Sequence, residues 1–270
     1  MEDLILQADN EPSSGYTFRW ANAGALENKG IELGLNATPF DSENFSWNTS
    51  VSWFRNRSEI TELTVNSFDT QGFGTGLGTF RIEEGKSATQ IVGNDTNGNV
   101  VVLGDAEPDF QMSFNNTVQY KGLSLSFLWH WKNGGDNVNL SRLLSDFGGT
   151  SADYDEMGLD PSGQLSNGDY RIGSFLSGIA EPFVEDASYL KLREIGLYYN
   201  LPKKLLSGVV GGNIDSVKLG FSGHNIINIF DYNSYDPEVS NFGSTAAGIG
   251  IEVAPFPSSR RYMFHVSVGF

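Results

Sequence analysis

Asp105, Glu107 and Asp109 stand at alternate positions just ahead of an apolar run that begins at Phe110. Carboxylates so grouped can divide acid and base work in glycoside hydrolysis. Spaced by two before a strand, however, they flank a loop more naturally than a cleft. Asp95-Thr96-Asn97-Gly98-Asn99 alternates oxygen donors before a glycine, as a calcium loop does. Only Asp95 is charged, the glycine comes early and no bidentate glutamate follows, so a polar turn accounts for it better. His130, His224 and His265 lie on different expected strands, and no pair of them has metal-ligand spacing. No Ser occupies a nucleophile motif, and Cys is absent, which removes thiolate metal sites and a disulfide framework. No catalytic residue, cofactor or metal is therefore expected, and the chain is not expected to be an enzyme.

The elements behind these residues follow from composition and periodicity. Hydrophobic residues make up 39% of the 270 and aromatics 13%, enough apolar side chain to offset the ordering entropy of a folded chain. Yet no run of about 18 apolar residues exists to form a transmembrane helix. A net charge of -16 argues against nucleic acid, whose phosphates need clustered Lys and Arg. Met1 is followed by Glu-Asp-Leu-Ile, with no basic and apolar leader. Residues 1–270 are accordingly expected to be part of a longer precursor, with no signal peptide in this stretch.

Alternation with period two dominates. Leu123, Leu125, Phe127, Trp129 and Trp131 oppose Ser124, Ser126, Leu128 and His130. Phe110, Met112, Phe114, Val118 and Tyr120 oppose Gln111, Ser113, Asn115, Thr117 and Gln119, with Asn116 a polar blemish on the apolar side. Phe45, Trp47, Val51 and Trp53 oppose Ser46, Asn48, Ser50 and Ser52. At the end of the chain Tyr262, Phe264, Val266, Val268 and Phe270 oppose Arg261, Met263, His265, Ser267 and Gly269. Between Tyr189 and Tyr199 the phase slips, which predicts a bulge near Arg193. About ten strands are expected, over 15–21, 29–38, 45–57, 78–83, 87–93, 110–120, 123–132, 187–200, 214–224 and 259–270.

Short connections (39–44, 84–86, 121–122, 201–213) alternate with long ones (61–77, 94–109, 133–186, 225–258). Barrels of the bacterial outer membrane have short periplasmic turns and long extracellular loops. The fold class expected is therefore all-β, an antiparallel transmembrane β-barrel. Leu123, Leu125, Phe127, Trp129, Phe110, Met112 and Phe114 are expected to face lipid. Gln111, Ser113, Asn115, Ser124, Ser126, His130 and His265 are expected to face the lumen. Trp20, Trp47, Trp53, Trp129 and Trp131 fit interfacial girdles, with sugar stacking open to any that face inward. The long segments, rich in Gly, Asn, Asp and Ser, are expected to be solvated and adaptable. The stretch 134–186 carries Asp136, Asp146, Asp153, Asp155, Glu156, Asp160, Asp169, Glu181, Glu185 and Asp186, either a solvated acidic surface or a binding one.

Several of these stretches resemble TonB-dependent outer-membrane transporters. Asn28-Lys29-Gly30-Ile31-Glu32-Leu33 followed by Phe45-Ser46-Trp47 looks like an adjacent strand pair of theirs. Phe183 to Ile195 with Tyr199-Asn200-Leu201-Pro202 resembles the SusC/RagA subgroup, as do Gly223-His224-Asn225, Tyr235-Asp236-Pro237-Glu238-Val239 and Pro257 through Phe270. Gly104-Asp105 with Pro108-Asp109-Phe110 completes the set. The resemblance implies that the chain supplies about the last ten strands of a barrel of roughly 22. It also implies import of oligosaccharides or peptides, a SusD-like lipoprotein lid, and the TonB complex acting through a plug not present here. The final strand, Tyr262 to Phe270, would be read by the barrel-assembly machinery. The rival function is a soluble β-rich binding or adhesion module with an acidic surface. That rival requires the apolar stripes to pair across two sheets.

Overall fold

The computed structural model describes residues 4–9, 12–209, 214–241 and 250–270. One antiparallel sheet of eight strands runs β1 (Leu4–Asp9), β2 (Phe18–Asp41), β3 (Phe45–Leu63), β8 (Phe110–Tyr120), β9 (Leu123–Asn133), β12 (Tyr189–Asn200), β13 (Ser216–Ile229), β15 (Arg261–Gly269). The strands between these belong to two smaller sheets formed by the long connections. Eight strands, rather than about ten, thus build the wall.

Directly opposed residues of an antiparallel pair share a face, so the register can be followed across the sheet. Leu33 opposes Trp53, Trp53 opposes Met112, and Met112 opposes Trp131. Trp131 opposes Leu190, and Leu190 opposes Ile229. Lower down, Leu125 opposes Leu197, which opposes Phe221, which opposes Phe264. One apolar face therefore crosses seven strands without a change of side. On β2 its stripe runs from Ile31 to Phe40, on β3 from Phe45 to Trp53, and on β8 from Phe110 to Tyr120. Each is close to the 9–11 residues that one tilted strand needs to cross a bilayer. Beyond Ile31 the same face turns to charge, with Lys29, Arg55, Arg57 and Glu59.

Two expected strands, 15–21 and 29–38, are one: β2 is continuous over 24 residues. The stretch between them pairs from Gly24 onward with the upper part of β3, across one register shift between Ala25 and Leu26, so that Leu26 opposes Ile60 and Asn28 opposes Ser58. Backbone pairing settled what side-chain periodicity could not. At about 3.3 Å per residue β2 is roughly 80 Å long, so it and β3 project far past the apolar band.

The expected bulge is present. The pairing of β12 slips between Leu192 and Glu194 against both β9 and β13, leaving Arg193 outside the ladder. On β13 the slip falls at Asn225, which has φ 53°, a left-handed conformation that asparagine tolerates better than most residues.

At one end of the wall the connections are short. Ser42 to Asn44 joins β2 to β3, and Lys121-Gly122 joins β8 to β9. Lys121 N donates to Asn44 O and Asn200 N to Gly122 O (both 2.8 Å), so neighbouring turns are laced together. The turn after β12 carries α3 (Lys203–Val209), and its residues 210–213 lie outside the described residues. The other end differs from expectation. Its long connections form a packed layer rather than adaptable loops. β4 (Phe68–Gly72), β5 (Thr79–Ile82), β6 (Gln90–Asn94) and β7 (Val100–Asp105) make a four-stranded sheet. β10 (Asp136–Asn139) lies between β11 (Val184–Asp186) and β14 (Ile251–Glu252), with α1 (Leu140–Phe147) and α2 (Asn167–Leu176) beside it.

The strands expected at 78–83 and 87–93 are therefore β5 and β6 of this layer and not wall strands. Their turn at 84–86 sits at the long-loop end, where Gly85 N donates to Ile60 O at 2.7 Å. The hydrophobic core lies in the same layer. Phe80, Ile91, Val138, Leu140, Leu143, Phe183 and Ile251, drawn from all three long connections, are buried together. On the wall, by contrast, Ile31, Leu33, Leu35, Phe221, Phe264 and Val266 are each more than half exposed. Among the described residues no second sheet packs on the apolar face, and the stripes do not pair across two layers as a soluble sandwich requires.

Candidate functional site

The candidate site is the polar face of the wall, opposite the apolar stripes and expected to be the inner one, with the loop layer tied to its upper end. The register places Gln111, Ser113 and Asn115 opposite Lys132, His130 and Leu128, all on the face away from the apolar stripes, with Ser124 and Ser126 below. His265 shares that face, opposite Gly220. The residues expected to face lipid are likewise brought together: Phe110, Met112 and Phe114 lie beside Trp131, Trp129 and Phe127, with Leu125 and Leu123 following. Tyr262, Phe264, Val266 and Val268 continue that face, while Phe270 lies one residue past β15 and is 87% exposed. Asn116, the blemish, accepts a hydrogen bond from Trp47 Nε1 at 3.0 Å and is buried. A polar side chain on an apolar face is thereby satisfied within the sheet.

The lower part of the polar face is lined mainly by uncharged polar side chains. Asn36, Asn48, Ser50, Asn115 and Thr117 line a shallow hollow, and Ser52 Oγ lies 2.5 Å from Ser113 Oγ. Nearer the short turns, Tyr198 lies over Gly220 and Gly196, where an added Cβ would meet its ring at 2.2 and 2.7 Å. Lys218 Nζ is 4.9 Å from the Tyr198 ring centre, and His265 Nε2 is 2.7 Å from Ser222 Oγ.

The upper inner face is charged, and here the structure joins stretches far apart in sequence. Lys191, almost fully buried, donates to Asp236, which is equally buried, and to Glu238 Oε2 at 2.6 Å. Arg193, freed by the bulge, donates to both Glu238 oxygens, through Nη1 to Oε2 at 2.6 Å. Tyr189 O–H donates to Glu238 Oε1 at 2.7 Å, and Arg193 Nη2 lies 2.8 Å from His130 Nδ1. Ser258 Oγ donates to Asp236 Oδ2 at 2.6 Å. Burial opposes ionisation of Glu238, but hydrogen bonds from Arg193 and Lys191 outweigh it and hold its carboxyl at about 2. Tyr189, Lys191 and Arg193 were visible only as a family-like string. The physical signal was a lysine at a strand position flanked by leucines, which calls for a buried counter-ion.

A second network stiffens the layer. Arg171, fully buried, donates through Nε and Nη2 to Asp146 at 2.6 Å each, and through Nη1 and Nη2 to Asp153 at 3.0 Å. Arg142 also donates to Asp153, and at 3.2 Å to Glu185. Asp153 is held at about 2: burial disfavours its charge, but the two guanidinium groups more than compensate. Asp160 accepts from the backbone N–H groups of Ser162, Gln164 and Leu165. Much of the acidic stretch 134–186 is thus internal pairing, while Asp155, Glu156, Asp169, Glu181 and Asp186 remain on the surface.

The other candidates are occupied. Asp105 accepts from Thr89 Oγ1 at 2.6 Å, Glu107 from Ser58 N at 3.0 Å, and Asp109 pairs with Arg57 at 2.7 Å. Asp105 ties the end of β7 to the segment before β6, and Glu107 and Asp109 pin the start of β8 to β3. Asp95 accepts from Asn97 N and Asn99 N at 2.8 and 2.9 Å, a self-contained polar turn. Among the described residues no three His, Cys, Asp or Glu side chains gather as a metal site.

No family model matches the sequence. Individual proteins do match. The chain is 24% identical over its whole length to TonB-dependent receptor P3 of Formosa agariphila, of which it covers 31%. It is 27% identical to TonB-dependent receptor SusC of Bacteroides thetaiotaomicron, over 92% of the chain and 27% of that protein. In fold it matches the RagAB peptide importer in the closed-closed state over its full length, with a TM-score of 0.68 at 18% identity, and covers 32% of that chain. The antiparallel wall capped by a packed loop layer thus has the fold found in the RagAB importer. In sequence the chain is similar to TonB-dependent receptors, SusC among them. The chain spans about a third of the length of the curated relatives it matches.

Proposed function

We propose that residues 1–270 form barrel wall and extracellular gate of a nutrient importer in the outer membrane. The apolar face touches lipid and the polar inner face lines the solute path. The loop layer meets solute at the mouth, together with a SusD-like lipoprotein lid. Energy reaches the barrel from TonB through a plug domain. The solute is an oligosaccharide or a peptide, and the role is transport rather than catalysis. One observation carries this proposal: an exposed apolar face continuous over seven strands, each stripe close to one bilayer crossing in length. In water such a face would be an aggregation surface, whereas hydrocarbon makes it stable.

Because the chain has no Cys, single cysteines bearing a nitroxide can report each face. At positions 33, 35 and 264 the label should relax with oxygen, and at 36, 50 and 115 with a water-soluble nickel complex. Preference for nickel at the first three would refute a lipid-facing wall.

A further inference from the structure

The three-stranded sheet of the loop layer has two unlike faces. Val138, Val184 and Ile251 share the side that enters the dry core. On the other side Asn137 opposes Glu185 and Asn139 opposes Glu252. The chain just past β13 covers this polar side. Asn137 Nδ2 donates to Pro237 O at 2.7 Å, Asn233 N to Glu185 Oε2 at 2.9 Å, and Ser234 Oγ to Glu252 Oε1. Asn137, Asn139, Tyr232 and Glu252 are all buried, Glu252 completely. Within this closed compartment the two glutamates differ. Both oxygens of Glu185 are engaged, by Asn139, Arg142 and Asn233. Glu252 Oε2 has no hydrogen-bond partner, and neither has the Tyr232 hydroxyl. Among the described residues Glu252 also lacks an ion pair, because Arg142 and Arg171 serve Asp146, Asp153 and Glu185. Asp146, Asp153, Glu185 and Glu252 together thus face two guanidinium groups.

A carboxylate shut away from water needs a proton or a counter-charge. Burial, followed by the Glu252 carboxylate, pushes the Tyr232 hydroxyl well above the ordinary phenol range, and Glu185 adds to this, so the compartment is negative. A proton on Glu252 would answer its charge alone. A cation answers the charge and also gathers the free oxygens of Tyr232 and Asn137. Those ligands are oxygens only, which selects a hard cation. Calcium accepts an irregular set of carboxylate and neutral oxygens, whereas magnesium demands an octahedron and keeps several waters, for which a closed compartment has little room. We propose that one calcium ion binds inside the loop layer between Glu252, Tyr232 and Asn137. Its protein ligands are Glu252 Oε2, Tyr232 Oη and Asn137 Oδ1, drawn from β14, the stretch after β13, and β10. The ion pins that stretch onto the sheet, whichever solute the receptor carries. With one acidic ligand and two neutral ones, the site falls outside the groupings of three His, Cys, Asp or Glu that are absent among the described residues.

The test uses the complete receptor in detergent, stripped with chelator, desalted and then titrated with calcium, magnesium or sodium chloride. Elemental analysis after a second desalting should find one calcium more per wild-type receptor than per Glu252→Gln receptor. Calcium should slow proteolysis within 230–258 of the wild type, and magnesium or sodium at the same concentration should not. Tyr232→Phe keeps the ring and removes one ligand, so calorimetric titration should show calcium binding weakened about tenfold. Equal calcium in wild type and Glu252→Gln overturns the proposal. A wild type that retains no calcium, beside a Glu252→Gln receptor at least as resistant to protease, overturns it in favour of a protonated Glu252. Protection by sodium alone overturns it in favour of a monovalent ion. Should Glu252→Gln fail to fold, the Tyr232→Phe titration decides, and an affinity equal to that of the wild type overturns the site.

Discussion

At the scale of single residues, the decisive contact is the tie between Lys191 and the carboxylates of Asp236 and Glu238, 45 and 47 positions away. A lysine whose side chain is 1% exposed is stable in charged form only while its counter-ions are in place. The pair is therefore a commitment: with both partners present it fixes the segment after β13 to the wall, and with one removed it opposes folding. Asp236→Ala should cost about 3–5 kcal/mol in the packing of that segment, because the ammonium stays buried beside half its partners. Limited proteolysis should then cut within 230–258 while the heat-modifiable migration of the barrel is unchanged. Unaltered protease resistance in this variant would show that the tie does not hold the segment down. Arg193 joins the same network only because the bulge takes it out of the ladder. A backbone irregularity and a charge cluster are here one feature.

At the scale of elements, strands are decided by their neighbours as much as by their own residues. The middle of β2 lacks an apolar stripe yet continues as strand because β1 and β3 offer it backbone partners, across one register shift at Ala25/Leu26. Conversely, β5 and β6 read as strands in the sequence but fold into the layer above the wall. Inner-face glycines supply a second example. Gly196 and Gly220 leave a flat patch that the Tyr198 ring covers. Gly220→Ala should push that ring away and cost about 1–3 kcal/mol, the usual penalty of overpacking. Chemical unfolding in detergent measures it. Adding Gly220→Ala to Tyr198→Ala should cost almost nothing more. Equal costs in both backgrounds would mean that the ring and the glycine are not coupled.

For the whole molecule, two parts with different chemistry are joined end to end. The wall holds by backbone pairing and needs lipid on one face. The layer holds by a small dry core and by charge pairs. Its stability should therefore respond to pH separately. Asp153 and Glu238 titrate at about 2 in the folded state, against ordinary values of 3.8 and 4.5. Folded pKa values below the unfolded ones mean stabilisation that is complete above the unfolded values and lost as pH falls through the folded ones. The layer should loosen between about pH 4.5 and 2, while the wall sheet persists. Pepsin cleavage of 134–186 across that range, followed beside far-ultraviolet dichroism, reads both parts. Cleavage that begins only when the β signal also falls would mean that the two do not separate.

The alternation of Leu, Phe and Trp with Ser, Asn and Gln determined the two-faced strands of the wall, though not which of the expected strands belong to it. It could do so because a strand's side-chain period is a local property, and one stripe reads the same whatever lies beside it. The bulge at Arg193 was legible for the same reason, as a local loss of phase. What the order of residues left open was every outcome that depends on two distant segments meeting. Only the tertiary structure decided that residues 22–28 continue a strand, and that Phe80, Val138 and Ile251 form one core. It also decided that Asp146 and Asp153 are internal partners of arginines and that Lys191 meets Asp236. Polar and glycine-rich stretches pass for solvated loops until their partners are placed, because hydrogen bonds and ion pairs carry no period along the chain.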